Sequence, residues 1–370
     1  MQKKIIALAV AGLASTAAFA QTNVTVYGVA DAAFIYTNVN GGNRLNAGEA
    51  HGRDTFNVNS GQLAGSRLGF KGTEDLGNGL KAIFTLEYSL DIDQNFGVGG
   101  GVSGLAARQQ FVGLSTKAGD VTLGRQYAPG YYTLGMDALL ASPALSSVDA
   151  GQAFIGSTIR GASSARWNNA VNYKTANWGG FSAQAIYAMG ENGNEIAMGE
   201  SYGIGADYAA GPVAVKYVYQ NASNNQGGSA APTGLVPGAN NGAQQEHYIG
   251  ASYDLKVVKL MGSAQILDKG NRTNAGGQAA EGSVYQFGAI VPVGKGNIHA
   301  SYALAERDSA NRPGFGPNTY RGELNSVTVA YTHGLSKRTT LYTGVRYTDN
   351  DTNNAGSVLT AFGAGINHTF

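Results

Sequence analysis

The sequence predicts an all-β fold, a transmembrane antiparallel β-barrel of about sixteen strands. Three observations carry that prediction. Apolar and polar residues alternate, segment after segment, with the period of two that a strand imposes. Short connections alternate with long ones, as in a barrel whose turns lie on one side of a membrane and whose loops lie on the other. Only 13% of the residues are charged, and the chain holds 55 glycines and 20 tyrosines; a typical soluble protein carries roughly 25% charged residues.

Residues 1–20 read as a secretory signal. Lys3 and Lys4 give a positive start, Ile5 to Ala18 an apolar run, and Ala18-Phe19-Ala20 a small-x-small cleavage site. The run is short for a membrane anchor, which needs ~20 residues, and no other window suits a helical span. The expected mature barrel is 21–370. Cleavage takes two of the 25 basic residues and none of the 24 acids, leaving a formal charge of −1. That balance gives no support to nucleic-acid binding. The chain has no cysteine, so disulfides do not stabilise it, whereas a closed barrel pairs every strand edge.

The first strand is expected near Val24–Tyr36, with Val24, Val26, Ala30, Ala32 and Phe34 outward and Asp31 inward. Strands two and three, Ser66–Gly72 and Leu80–Leu90, flank the turn 73–79. In the third, Leu80, Ala82, Phe84, Leu86 and Tyr88 face one way, and Lys81, Thr85, Glu87 and Ser89 the other. Charge on the polar face implies water on that side. Further hairpins are expected at Arg108–Thr116 with Val121–Gln126, Arg166–Lys174 with Phe181–Met189, and Ser201–Ala209 with Val213–Gln220. The series continues with Glu246–Asp254 and Val258–Leu267, Ser283–Val291 and Asn297–Glu306, and Glu323–Thr332 and Thr339–Thr348. The last strand is Ser357–Phe370, with Val358, Phe362, Ile366 and Phe370 on an outward face and Ala361, Gly363 and Asn367 inward. Phe370 is the expected aromatic anchor at the bilayer edge.

The long connections fall at 37–65, 91–106, 127–165, 190–200, 221–245, 268–281, 307–320 and 349–356. Several are rich in Gly and Asn, a composition suited to exposed surface. A soluble sandwich would also show short alternating strands. Here the outward stripes carry tyrosines near their ends, among them Tyr173, Tyr187, Tyr202, Tyr208, Tyr217, Tyr219, Tyr253, Tyr285, Tyr302, Tyr331 and Tyr347, as two interfacial belts would.

The chain resembles the general diffusion porins of β-proteobacteria, the trimeric sixteen-stranded outer-membrane family of neisserial and Burkholderia porins. The resemblance spans the whole chain. It rests on Val26-Tyr27-Gly28, the long block Ser66-Arg67-Leu68-Gly69-Phe70-Lys71-Gly72-Thr73-Glu74-Asp75-Leu76-Gly77-Asn78-Gly79-Leu80-Lys81-Ala82, Arg108 to Leu114, Leu123 to Gln126, Asn168 to Tyr173 and the terminal Gly365 to Phe370. It implies a Gram-negative outer-membrane channel for small hydrophilic solutes and ions. It also implies a homotrimer in outer-membrane lipid, with the C-terminal strand read by the barrel assembly machinery. Small outward residues (Gly28, Ala30, Ala32 and Ala364) suit close barrel packing; plain lipid-facing alanine would look the same.

A sixteen-stranded barrel is too wide for side chains to fill. The third long loop, 127–165, carries Tyr131, Tyr132, Leu134, Met136, Leu139, Leu140, Phe154 and Ile155, which can pack on a wall, and Leu134–Ala141 suits a short helical turn. Packing alone does not distinguish an inward fold from an external cap or a subunit contact; the resemblance implies the inward fold. Asp137 and Asp149 are its acids before Arg160. By parity Arg67, Lys81 and Arg166 point inward, Arg166 opposite to Trp167. Alternation leaves Arg108 unsettled, because Val112 and Leu114 share its parity. In related porins the arginines matching Arg67, Arg108 and Arg166 form a ladder at the constriction. Arginines facing Asp137 and Asp149 would set a transverse field and a mild anion preference; each could equally bond a loop carbonyl and hold the constriction's shape. Arg125 remains open, with the loop root as one place for it.

No catalytic residue, metal or cofactor is expected. Gly288 to Lys295 lacks phosphate-loop spacing, no Gly-x-Ser-x-Gly occurs, and His51, His247, His299, His333 and His368 are scattered. His299 shares lumen parity with Ser301. The alternatives are a channel dedicated to one solute and, further off, a barrel enzyme, whose Ser-His-Asp/Asn cluster cannot be assembled here.

Overall fold

The computed structural model describes residues 23–41, 54–94, 106–139, 142–160, 165–190, 200–222, 244–270, 280–309, 320–352 and 356–370. The signal segment 1–20 and much of the long connections lie outside them. The strands are β1 (Asn23–Gly41), β2 (Asp54–Ser60), β3 (Arg67–Gly77), β4 (Leu80–Ser89), β5 (Ala107–Thr116), β6 (Gly119–Tyr127), β7 (Arg166–Thr175), β8 (Phe181–Ala188) and β9 (Ser201–Ala210). They continue with β10 (Val213–Ala222), β11 (Gln244–Asp254), β12 (Lys259–Gly270), β13 (Ala280–Val293), β14 (Gly296–Ser309), β15 (Tyr320–Gly334), β16 (Thr339–Thr352) and β17 (Ser357–Thr369).

All belong to one antiparallel sheet. β2 and β3 lie end to end on β1, from Asn38↔Asp54 to Ala32↔Ser60 and from Val29↔Arg67 to Asn23↔Thr73. They are two halves of one stave, so the seventeen strands make sixteen staves. β2 falls inside the connection expected at 37–65. Its only large apolar residues are Phe56 and Val58, and pairing with the extended end of β1 supplies the order that local sequence does not. The ring closes where β17 pairs with β1, from Val29↔Thr369 to Gly41↔Ser357.

The side chains obey an inverted rule. Val24, Val26, Phe34, Val112, Phe287 and Val329 stand exposed on the outer surface, while Asp31, Gln220, Glu246, Gln265 and Thr328 are buried on the inner one. Lipid outside and a polar lumen inside produce this pattern. Nine of the tyrosines expected outward are exposed: Tyr173, Tyr187, Tyr202, Tyr208, Tyr217, Tyr253, Tyr285, Tyr302 and Tyr347.

Phe370 is half exposed. Its backbone exchanges hydrogen bonds with Gly28 at 3.1 and 3.2 Å. A Cβ at Gly28 would stand 2.3 Å from the Phe370 ring, so the seat of this closing aromatic requires glycine.

Candidate pore constriction

The loop after β6 enters the lumen. Ala128 is fully buried at its root, Pro129–Met136 is a 3₁₀ stretch, and Ser147–Ile155 is a helix, α1. The helical turn expected over 134–141 is thus replaced by an earlier 3₁₀ stretch and a later helix; residues 140 and 141 lie outside the described residues. Ser146 caps α1 by accepting from Asp149 N, and Gly156 ends it at φ 74°.

Inward side chains of the wall hold the loop. Gly130 N donates to Gln220 Oε1 at 2.7 Å, and Gln152 Nε2 to Gln265 Oε1 at 3.0 Å. The Ser147 and Ser301 hydroxyls are 2.6 Å apart, and Thr328 Oγ1 donates to Leu145 O at 2.6 Å. Arg346 Nη1 donates to Pro143 O and Ser146 O at 3.2 and 3.3 Å. Glu246 accepts from the hydroxyls of Ser157 and Thr158. His299 Nδ1 lies 2.7 Å from Ala138 O and its Nε2 2.9 Å from Thr332 Oγ1. Ile155 of α1 packs with Leu267, Val284, Ala305 and Leu324. At the tip, Leu139 and Leu145 pack with Ala33, Ile35, Ala330 and Tyr342.

A second, smaller piece turns inward between β2 and β3. The Asp31 carboxylate accepts from the backbone N–H groups of Gln62, Leu63 and Ala64 at 2.6 to 3.3 Å, and from Tyr342 OH and Asn367 Nδ2 at 2.8 Å each. Leu63 then packs against the loop tip.

On the wall from β3 to β7, against the root of the loop, the arginines collect. Arg108 Nε donates to Glu87 Oε1 at 2.8 Å and to Tyr127 OH at 3.2 Å, and its Nη2 to Tyr131 OH at 3.0 Å. Tyr27 OH donates to the other Glu87 oxygen at 3.0 Å. The Tyr127 and Tyr131 rings stack 3.5 Å apart, with Tyr132 edge-on to both. Arg108 and Arg166 each lie 5.9 Å from the Tyr127 ring centroid, and Lys174 lies 5.0 Å from that of Tyr132. Arg67, Arg108 and Arg166 all act electrostatically on Tyr131. Among the described residues the Arg67 guanidinium has no hydrogen bond or ion pair to the protein.

The backbone explains how Arg108 comes to face inward. Pairing runs Glu87↔Gln109 and then Tyr88↔Ala107, so Arg108 is the extra residue of a bulge. Gln110, Val112 and Leu114, on its nominal parity, are exposed outside. The bulge turns the guanidinium into the lumen. A second irregularity lies beside it, where pairing passes from Gly124↔Ala170 to Gln126↔Trp167 and Asn169 adopts φ 48°. It corrects the expectation that Trp167 faces outward: Trp167 is 1% exposed and packs inside with Ala128, Ala170 and Ile186. Arg125, at this irregularity, donates to Ala107 O at 2.8 Å and Arg166 O at 3.4 Å, at the loop root.

The other candidates lie elsewhere. Lys81 is exposed beside the β3–β4 turn, six residues along the strand from Glu87 and outside the arginine group. Asp137 and Asp149 are buried and do not stand open to the arginines. Asp137 accepts from Leu139 N at 3.0 Å and from the Ser146 hydroxyl. Asp149 takes a two-pronged ion pair from Arg160, both contacts 2.7 Å. Burial opposes the Arg160 charge, but hydrogen bonding and charge attraction to Asp149 outweigh it and hold the guanidinium above its ordinary value. The acid beside the arginines is Glu87, which strand alternation placed inward. Sequence reasoning did not single out Glu87, Tyr127 or Asp31 as site residues.

Residues 7–353 match the Gram-negative porin family. The chain is a Gram-negative porin. It is 31% identical to outer membrane porin protein 32 of Delftia acidovorans over 95% of this chain and 90% of that protein. It is 28% identical to an outer membrane porin of Bordetella pertussis across the full length of both. Among solved structures, an anion-selective porin from Comamonas acidovorans superimposes with a TM-score of 0.71 at 28% identity, covering 94% of this porin and all of the other. OmpT of Vibrio cholerae, at 14% identity and a TM-score of 0.64 over 94% and 98% of the chains, shares the barrel. The porin is therefore an outer-membrane protein, and the closed ring of sixteen staves with an inward loop is its channel.

Proposed function

We propose that this porin is a general diffusion channel with a mild anion preference, and that Arg67, Arg108 and Arg166 set that preference. The observation that carries the proposal is the charge count on the wall at the loop's root. Among the described residues three guanidiniums gather about one carboxylate, Glu87, while Asp137 and Asp149 are engaged within the loop. Guanidinium keeps its charge at any working pH, and a narrow water gap between low-dielectric walls concentrates its field. Arg108, fastened to Glu87 and two tyrosines, positions the wall; Arg67, without such bonds, meets the passing ion.

The reading includes removal of residues 1–20, assembly as a homotrimer in outer-membrane lipid, recognition of the C-terminal strand by the barrel assembly machinery, and passive permeation in place of catalysis. The named anion selectivity of the Comamonas porin supports it by analogy. The test is the zero-current potential of the purified protein in a planar bilayer under a KCl gradient. A potential on the anion side supports the reading; a cation-side potential overturns the role of the arginines.

The three tyrosines beside the arginines favour a second reading, a channel dedicated to one solute. Liposome swelling with sugars of graded size separates the two. Permeability falling smoothly with size supports general diffusion, and a single outlier supports the dedicated channel.

A further inference from the structure

The hairpin turns at the periplasmic end of the barrel differ sharply around the ring. The three turns between β11 and β16 carry Lys256, Lys295, Lys337 and Arg338 against one acid, Asp254, whose Oδ1 is occupied by Lys256 N at 2.7 Å. The four turns between β3 and β10, with the strand ends paired beside them, balance Lys81, Lys117 and Lys174 against Glu74, Asp75 and Asp120. Each basic turn also thrusts apolar residues into the surroundings: Leu255 and Val257 (74% exposed), Val293, and Leu335 (57%).

These turns are built to hold their tips out. Leu255 N donates to Val258 O at 2.9 Å, Gly294 adopts φ 60°, and Leu335 N and Ser336 N both donate to Thr339 O. Lys256, Lys295, Lys337 and Arg338 are exposed, and among the described residues none of them forms an ion pair. At the loop-bearing end of the same arc the sign reverses. Asp268, Glu306, Glu323 and Asp351 are exposed there, on the outward parity of their strands.

We propose that this arc of the periplasmic rim is a docking surface for anionic phospholipid of the inner leaflet. The bases would meet the phosphodiesters while Val257, Val293 and Leu335 enter the boundary between headgroups and acyl chains. Two features on the same three turns point to that occupant. Clustered bases beside apolar side chains match a surface that is anionic and apolar a few ångströms deeper. The short turns of an outer-membrane barrel also lie at the level of the periplasmic headgroups. A soluble acidic partner would leave the valines and leucines in water. This proposal does not depend on what the pore conducts.

The test uses the purified full-length porin in detergent, offered dioleoyl-phosphatidylglycerol or dioleoyl-phosphatidylcholine, with retained lipid counted by native mass spectrometry. The expected result is a preference for phosphatidylglycerol on the order of tenfold or more, since each base near an anionic surface contributes several-fold. A variant carrying K256Q, K295Q, K337Q and R338Q should lose that preference, and K117Q, on the other arc, should keep it. If the fourfold variant does not fold, the wild-type preference should collapse as salt rises from about 0.05 to 0.5 M. Equal retention of both lipids, a preference unchanged in the fourfold variant, or one insensitive to salt overturns the proposal. So does tighter retention of soluble cell-wall muropeptides, which would assign the arc to the wall polymer.

Discussion

Glu87 and Arg108 meet at 2.8 Å on neighbouring strands because the chain carries one residue too many at that point of β5. Without the bulge the guanidinium would point at lipid. With it, the pair sits 4% and 5% exposed in the inner wall, and one of the constriction's positive charges is cancelled where it stands.

Neutralising that acid should strengthen anion preference. Glu87→Gln keeps the shape and one acceptor oxygen for Arg108, with its amide NH2 donating to the Tyr27 hydroxyl, but leaves the Arg108 charge unopposed. The zero-current potential in a KCl gradient should move further to the anion side than in the wild type. A shift toward cations would contradict the charge balance drawn here.

Arg67 and Arg108 should separate under substitution. Arg67→Ser is expected to lower anion preference with stability close to wild type, because no side-chain hydrogen bond or ion pair is lost. Arg108→Ser strands Glu87, and removing one member of a buried ion pair costs about 3–5 kcal/mol. It should lower the urea midpoint, raise single-channel conductance and weaken anion selectivity together. Equal stability losses in the two variants would refute the division of roles.

Asp31 should prove a structural residue of the lumen. Asp31→Ala removes the acceptor for three backbone N–H groups and two side chains. Each buried donor left unpaired costs about 1–3 kcal/mol, so the free energy of unfolding should fall by several kcal/mol and the urea midpoint with it. Channel recordings should become noisier as the segment 61–66 loosens beside Arg108; a Cβ on Gly65 would already stand 3.0 Å from Arg108 Nη1.

The inward fold of the loop can be locked. The chain has no cysteine, so Ser147→Cys with Ser301→Cys gives one possible bridge. Hydroxyls 2.6 Å apart should become an oxidisable pair. A mobility shift on oxidation, reversed by reductant, is the expected result. Absence of a shift would place the loop elsewhere.

Strand alternation made most of the barrel legible, and its failures share a cause. Arg67, Asp31 and Glu87 could be assigned to the lumen because their strands keep a strict period of two. Arg108 and Trp167 could not, because bulges shift the period where those residues sit. The helix α1 is not legible in the sequence because Ser147–Ile155 is short, carries Ser147, Val148 and Gly151 among its helix formers, and stands on its caps and on the wall it touches. The pattern Ser146, Asp149 and Gly156 was its only local signal. Asp137 and Asp149 could be counted as loop acids, but their partners, the Ser146 hydroxyl and Arg160, emerge only when the loop is folded back on itself.

The joint between β1 and β17 differs from every other in the ring, for no turn or loop ties those two strands together. Asp31 on β1 gathers Tyr342 from β16 and Asn367 from β17, and the loop tip lays Leu139 and Leu145 over Ala33, Ile35 and Tyr342. These contacts straddle the joint from the inside. A membrane stretched sideways pulls on such a cylinder as pressure pulls on a hooped cask, and the first gap would open where the ends of the band meet. The plug that narrows the bore is also the rivet across that gap, so widening the bore by cutting the plug away would trade flow for resistance to tension.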